Sequence, residues 1–93
     1  MLNFVICDDS INILEKLPKM LENIFIKYNY DACISFKSDN FDEILNYVDN
    51  NKTDVLILDI NLKSGKNGLQ IAETVRKKNK DAYIIFTTGH LEY

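Results

Sequence analysis

Three aspartates and a threonine in this chain stand where apolar runs end, and that placement gives them chemistry to do. Asp8 and Asp9 follow LNFVIC, Asp59 follows VLIL, and Thr88 with Gly89 closes the run that begins AYIIF. Carboxylates at the ends of neighbouring strands, spaced about 4.8 Å apart, converge closely enough to repel one another strongly. A divalent cation relieves that repulsion, and oxygen-only ligation favours Mg2+ or Mn2+ over zinc. Magnesium keeps several of its waters. A few carboxylates plus the backbone carbonyl of Asn61, two residues past Asp59, therefore suffice as protein ligands and leave room for a phosphoryl group. The Thr88 hydroxyl can bond a phosphoryl oxygen, and Gly89 leaves space beside it. The residues by themselves imply an acidic Mg2+ site with a candidate carboxylate nucleophile at Asp59, and they do not choose the reaction. Taken alone, Asp59 is equally readable as an Asp that starts a turn.

The elements that must position these groups follow from the hydrophobic pattern. Leu2 to Cys7 and Val55 to Leu58 are nearly continuous apolar runs, as expected of strands buried on both faces. Their carboxyl ends form the edge at which ligands bind in open parallel sheets. Ser10 can cap a helix with apolar positions Ile11, Leu14, Leu17, Leu21, Ile24, Phe25 and Tyr28; Pro18 within it predicts a kink or two shorter helices. Ala32, Ile34 and Phe36 alternate with Cys33 and Ser35, which suits an edge strand. Asn40 and Glu43 form a plausible capping box for a helix with Phe41, Ile44, Leu45 and Val48 inward. Asn67 or Gly68 starts a third helix with Leu69, Ala72 and Val75 inward and Asn79 near its end, and Ala82 to Phe86 begins a fourth strand. Strict alternation of strand and helix predicts a three-layer α/β/α domain with a parallel sheet in the order 2-1-3-4. The AYIIF strand reads as interior, yet no fifth strand follows it, and an uncovered apolar edge invites self-association.

Composition narrows the classes of function. Ninety-three residues, 46% hydrophobic and 27% charged, suit one ordinary globular domain spanning 1–93, with no run long enough to cross a bilayer and no secretory signal. A cytoplasmic location is the default, with Cys7 and Cys33 as reduced core residues. A net charge of −3 with dispersed lysines argues against direct nucleic-acid binding by this chain. Arg76, Lys77, Lys78 and Lys80 cluster where a helix ends, and there they complement its dipole.

The Asp8–Asp9 pair, the apolar strand ending in Asp59, Asn61 two residues on, the downstream Gly68 and IIFTTG ending in Thr88 together resemble the receiver domain of two-component response regulators. The resemblance covers essentially the whole chain and implies a flavodoxin-like receiver fold. The loop after Asp59 and the IIFTTGH segment with His90 look closest to receivers that precede LytTR-type DNA-binding domains, including the accessory-gene-regulator type. By that resemblance Asp59 is the phosphoacceptor for a sensor histidine kinase, Asp8, Asp9 and Asp59 itself hold Mg2+ with the Asn61 carbonyl, and Thr88 is the switch hydroxyl. It implies control of transcription through a DNA-binding output domain in a longer parent. The only catalysis implied is phosphorylation and dephosphorylation of the chain itself.

The sequence also departs from the family. Lys63 stands where many receivers have Pro, and the loop to Gly68 is one residue longer than in chemotaxis-type receivers. The fifth-strand lysine, the switch aromatic and the last two helices are missing, and neither Lys63 nor Lys66 is placed to substitute for that lysine. The alternative is accordingly a receiver fold kept as an interaction or dimerisation module with impaired phosphorylation. A haloacid-dehalogenase-like phosphatase would need D-x-D where Asp8 and Asp9 are adjacent, and DDSIN is too acidic for the phosphate loop of a flavodoxin-like redox protein. His90 reads as an exposed loop residue, and Tyr28, Tyr30, Tyr47 and Tyr83 read as amphipathic helix or strand residues.

Overall fold

The computed structural model describes residues 1–60 and 68–87. Its elements run β1 (Leu2–Cys7), α1 (Ile11–Lys27), β2 (Ala32–Ser38), α2 (Phe41–Asn50), β3 (Val55–Asp59), α3 (Leu69–Lys78) and β4 (Tyr83–Thr87). All three strand pairs are parallel and the sheet order is β2-β1-β3-β4, which makes this the expected flavodoxin-like receiver fold, with four strands and three helices described. The two nearly continuous apolar runs, β1 and β3, lie side by side at the centre.

Alternation along the two central strands divides the core into two layers. Val5, Cys7, Leu56 and Leu58 face α2 and α3, where they meet Ile44, Val48, Ile71 and Val75. Ile6, Val55 and Ile57 face α1 and pack with Leu14, flanked by Phe4, Leu17, Leu21 and Ile34. The α3 stripe differs from the sequence expectation. Ile71, Ala72 and Val75 are buried, whereas Leu69 is 47% exposed in the first turn. Ile71 precedes Val75 by four residues and so shares its face. On α1 the buried face is Leu14, Pro18 and Phe25, with Leu17 and Leu21 partly covered; Ile11, Ile24 and Tyr28 lie on its exposed flanks.

Pro18 neither divides α1 nor ends it: of the two expected outcomes the split into two shorter helices does not occur, and one helix runs from Ile11 to Lys27. A proline at this position cannot donate to the carbonyl of Leu14, four residues earlier. Lys37 of β2 makes up the missing bond, its Nζ donating to the Leu14 carbonyl at 2.9 Å. The pyrrolidine ring, with no N–H to satisfy, is buried. Lys37→Met should therefore cost about 1 kcal/mol in urea unfolding, the scale of a lost hydrogen bond. In a Pro18→Ala background that cost should shrink, because the alanine N–H can bond Leu14 itself; equal costs in both backgrounds would contradict this coupling.

β2 occupies one edge of the sheet, as its alternating pattern suggested. Its pairing with β1 slips at Ser35: Phe4 pairs with Ile34, and Val5 already with Phe36. The bulged Ser35 donates its hydroxyl to the Phe4 carbonyl at 3.2 Å. Such a bulge twists an edge and makes it a poor template for a further strand. On the other edge β4 begins at Tyr83, one residue later than the pattern suggested.

Candidate functional site

The register of the central strands assembles the acidic edge. Cys7 pairs with Leu58, so the next residue of each strand segment, Asp8 and Asp59, stands at the same height on adjacent chains. Both are buried, 7% and 3% exposed, and Asp9 is half-buried beside them. Asp8 is fixed from both sides. One carboxylate oxygen accepts from the Ser10 N–H at 2.8 Å, while the Asp8 N–H donates to the Ser38 carbonyl at 3.4 Å. Ser10 is also the N-cap of α1, its hydroxyl accepting from the Ile13 N–H at 3.4 Å, so one residue starts the helix and aims the acid.

Beside this edge, the start of α2 is held by a hydroxyl that the sequence pattern did not single out. Asn40 accepts from the Glu43 N–H as expected, at 2.9 Å. The return half of the box is relayed through buried Ser38, whose hydroxyl accepts from the Asn40 N–H and donates to Glu43 Oε1 at 2.6 Å. The S-x-N-x-x-E spacing from Ser38 to Glu43 carries that signal in hindsight.

Burial and the crowding of the acids shift titration at this edge. Burial raises the Asp8 carboxyl above its usual range; the Ser10 N–H opposes the shift, and the charges of Asp59 and Asp9 add to it. The Cys7 thiol is pushed up to about 12, first by burial and then by the charges of Asp9, Asp8, Asp59 and Asp39. It stays protonated and inert. Cys7 and Cys33 are both free thiols; Cys7 is buried and Cys33 half-buried.

Gly68, the N-cap of α3, approaches the same edge from the opposite layer. A Cβ built there would lie 3.4 Å from the Asp59 carbonyl and from both terminal methyls of Leu58. A methyl there would sit in close but ordinary van der Waals contact, and the backbone is ordinary right-handed helix.

Among the described residues, no three His, Cys, Asp or Glu side chains close into a ready metal-holding group. The arrangement instead offers two buried carboxylates and a third half-buried one, with like-charge repulsion among them. That donor set fits a hard cation that retains most of its water, and Mg2+ is of that kind. Of the other expected site residues, Asn61, Thr88 and Gly89 lie outside the described residues, as do Lys63, Lys66, Asn67 and His90.

The structure adds a hydroxyl that the sequence reading passed over in favour of Thr88. Thr87 pairs directly with Asp59, and its carbonyl accepts from the Ile60 N–H at 3.2 Å. Its Oγ1 is buried without a hydrogen-bond partner among the described residues.

Comparison with known proteins finds relatives of this fold. The family model described as response regulator receiver domain matches residues 4–93. A chain in the crystal structure of histidine kinase ThkA in complex with response regulator TrrA is 33% identical, with a TM-score of 0.73; the match covers 100% of this chain and 73% of that one. TrrA from Thermotoga maritima in complex with Mg2+ and beryllofluoride is also 33% identical, with a TM-score of 0.74, covering 98% of this chain and 72% of that one. A Burkholderia pseudomallei response regulator with a phosphorylated aspartic acid, calcium and citrate shares the fold at 24% identity and a TM-score of 0.73, covering 99% of this chain and 49% of that one. No curated protein matches the sequence significantly.

Proposed function

We propose a phosphorylation switch from the premise that this chain belongs to the response regulator receiver domain family. In this reading Asp59 accepts a phosphoryl group from a sensor histidine kinase. One Asp59 carboxylate oxygen attacks phosphorus, the P–N bond to the kinase histidine breaks, and the imidazole leaves with the bonding pair. The product is an acyl phosphate on Asp59. The observation that carries the reading is the juxtaposition of buried Asp59 with buried Asp8 at the carboxyl ends of the two central strands. Asp8 and Asp9, with the Asn61 carbonyl, are the groups proposed to hold Mg2+ (or Mn2+). When bound, that ion supplies charge neutralisation for the acceptor and the phosphoryl oxygens. Asp8 is pre-aimed by Ser10, so the chain contributes position at little cost in reorganisation. Thr88, with Gly89 beside it, is proposed to take a phosphoryl oxygen and to bias the segment after β4.

The pairing of ThkA with TrrA supports a histidine kinase as the partner, and the Mg2+–beryllofluoride complex of TrrA supports the cofactor. A cytoplasmic setting is proposed from the family alone; separately, no helix among the described residues is long and apolar enough to cross a membrane. The loop sequence after Asp59 supports the finer reading of a LytTR-type regulator acting on transcription through a DNA-binding output domain in a longer parent. Incubation with Mg2+ and phosphoramidate or acetyl phosphate, followed by peptide mapping, tests the central step. Expected is one phosphoryl group on the peptide that contains Asp59; a protein that stays unmodified by both donors would reject the reading.

The two sheet edges favour a second role for β4. Unlike bulged β2, it pairs regularly along its length and leaves Tyr83, Ile85 and Phe86 73%, 49% and 47% exposed. Self-association of the chain through this strand is the expected result, read as a mass above that of the monomer by light scattering at micromolar concentration. A monomer at every concentration would exclude it.

A further inference from the structure

We infer that the Thr87 hydroxyl is a second donor to the phosphoryl group on Asp59, beside the Thr88 hydroxyl already assigned a place there. The inference rests on the phosphoacceptor reading of Asp59 and concerns how the product is held. Thr87 and Asp59 are register partners in a parallel pair, and the Ile60 N–H to Thr87 carbonyl bond locks that alignment at 3.2 Å. Register partners on adjacent strands point to the same face of the sheet, about 4.8 Å apart. That face is the one on which Val55 and Ile57 meet α1. The opposite face of β4 carries Ile84, which packs on the α2 and α3 layer.

The hydroxyl itself is the second observation. Thr87 Oγ1 is buried and has no hydrogen-bond partner among the described residues, although a buried hydroxyl left unpaired is destabilising. Burial alone does not make it a ligand group, because Thr53 Oγ1 is buried and unpaired as well. Thr53, however, precedes β3 at the amino end of the strand, away from the acids, whereas Thr87 stands level with Asp59. Thr87 Oγ1 makes no hydrogen bond to the Asp59 carboxylate as it stands, and a phosphoryl group adds acceptor oxygens beyond the carboxylate carbon. A donor that idles beside the carboxylate gains its partner when the acyl phosphate forms. No covalent step involves Thr87: its proton stays on Oγ1 and is shared with a phosphoryl oxygen. It is a positioning residue for the bound group.

Beryllofluoride with Mg2+ is the probe, because it mimics the phosphoryl group without depending on phosphotransfer rate. In the full chain, Thr87→Val should weaken beryllofluoride binding about ten- to a hundredfold, the scale of one hydrogen bond to a charged group, and shorten the lifetime of acetyl-phosphate-derived phosphoprotein. Thr87→Ser should restore both. Mg2+ affinity without beryllofluoride should be unchanged in either variant, which a merely structural role would not guarantee. Thr87→Val that binds beryllofluoride like the wild type, with Asp59→Asn still unable to bind it, would overturn this inference and leave the phosphoacceptor reading intact. Binding that persists in Asp59→Asn would overturn both. Equal weakening by Thr87→Val and Thr87→Ser would also count against a hydroxyl donor, since the defect would then follow packing.

Discussion

Asp59→Asn is expected to abolish incorporation of phosphate, both from a cognate histidine kinase and from small phosphodonors. The amide matches the carboxylate in shape, so the variant should fold, but its oxygen is neutral and no longer a competent nucleophile. Asp59 is 3% exposed at the end of β3, so no solvent-facing group can readily take over its place on the sheet edge. Loss of signal should exceed a thousandfold, about 4 kcal/mol in activation free energy, because the acceptor atom itself is removed. Intact-mass measurement after phosphoramidate treatment checks it, with circular dichroism as control for folding. Continued labelling at wild-type level would move the acceptor elsewhere. Fold stability should hold or rise, because Asp59 contributes to the repulsion felt by Asp8.

Why this much of the site could be read from sequence is a matter of strand ends. An apolar run that halts at a carboxylate marks a buried parallel strand and its carboxyl edge together, so Asp8 and Asp59 were locatable without coordinates. The central pair followed for the same reason: β1 and β3 are nearly continuous apolar runs that end in carboxylates, and they are central. What was not legible depended on contacts between segments distant in sequence. Nothing near Pro18 announces that Lys37, nineteen positions on, will replace its missing donor. Leu69 fits the apolar spacing of α3 as well as Ile71 does, and only packing separates the two, leaving Leu69 47% exposed and Ile71 fully buried. Thr87 and Thr88 are chemically identical neighbours, and the register with Asp59 is what distinguishes them.

The second large effect is expected at Asp8, where function and stability should move in opposite directions. Asp8→Asn removes a buried charge that faces Asp59 and Asp9, so the metal-free protein should become more stable by about 0.5–2 kcal/mol, within the range of single stabilising changes at strained functional sites. The pH dependence follows from the direction of the shift. Because the folded carboxyl lies above its usual range, the wild type binds more protons at Asp8 folded than unfolded in the window between the two values. Stability from this group is therefore greatest below the ordinary carboxylate range and falls as pH rises through it, with the full cost present at neutral pH. The advantage of Asp8→Asn in thermal melts should be clear at pH 7 and disappear in acid. Mg2+ should raise the melting temperature of the wild type and do little for the variant, and Mg2+-dependent phosphorylation should fall at least tenfold. A variant destabilised at pH 7, or one that keeps the wild-type response to Mg2+, would show that Asp8 is neither strained nor a ligand.

The bond from Lys37 to the Leu14 carbonyl ties together segments that form at different moments of folding. α1 is interrupted at Pro18 as far as its own hydrogen bonds go, so before β2 has docked its middle turn is a weak point from which the helix can fray in both directions. Once β2 lies against β1, the lysine closes that gap from outside. The first strand, first helix and second strand thereby become a single cooperative unit, and amide protons on either side of Pro18 should exchange with solvent together with those of β2 instead of fraying independently.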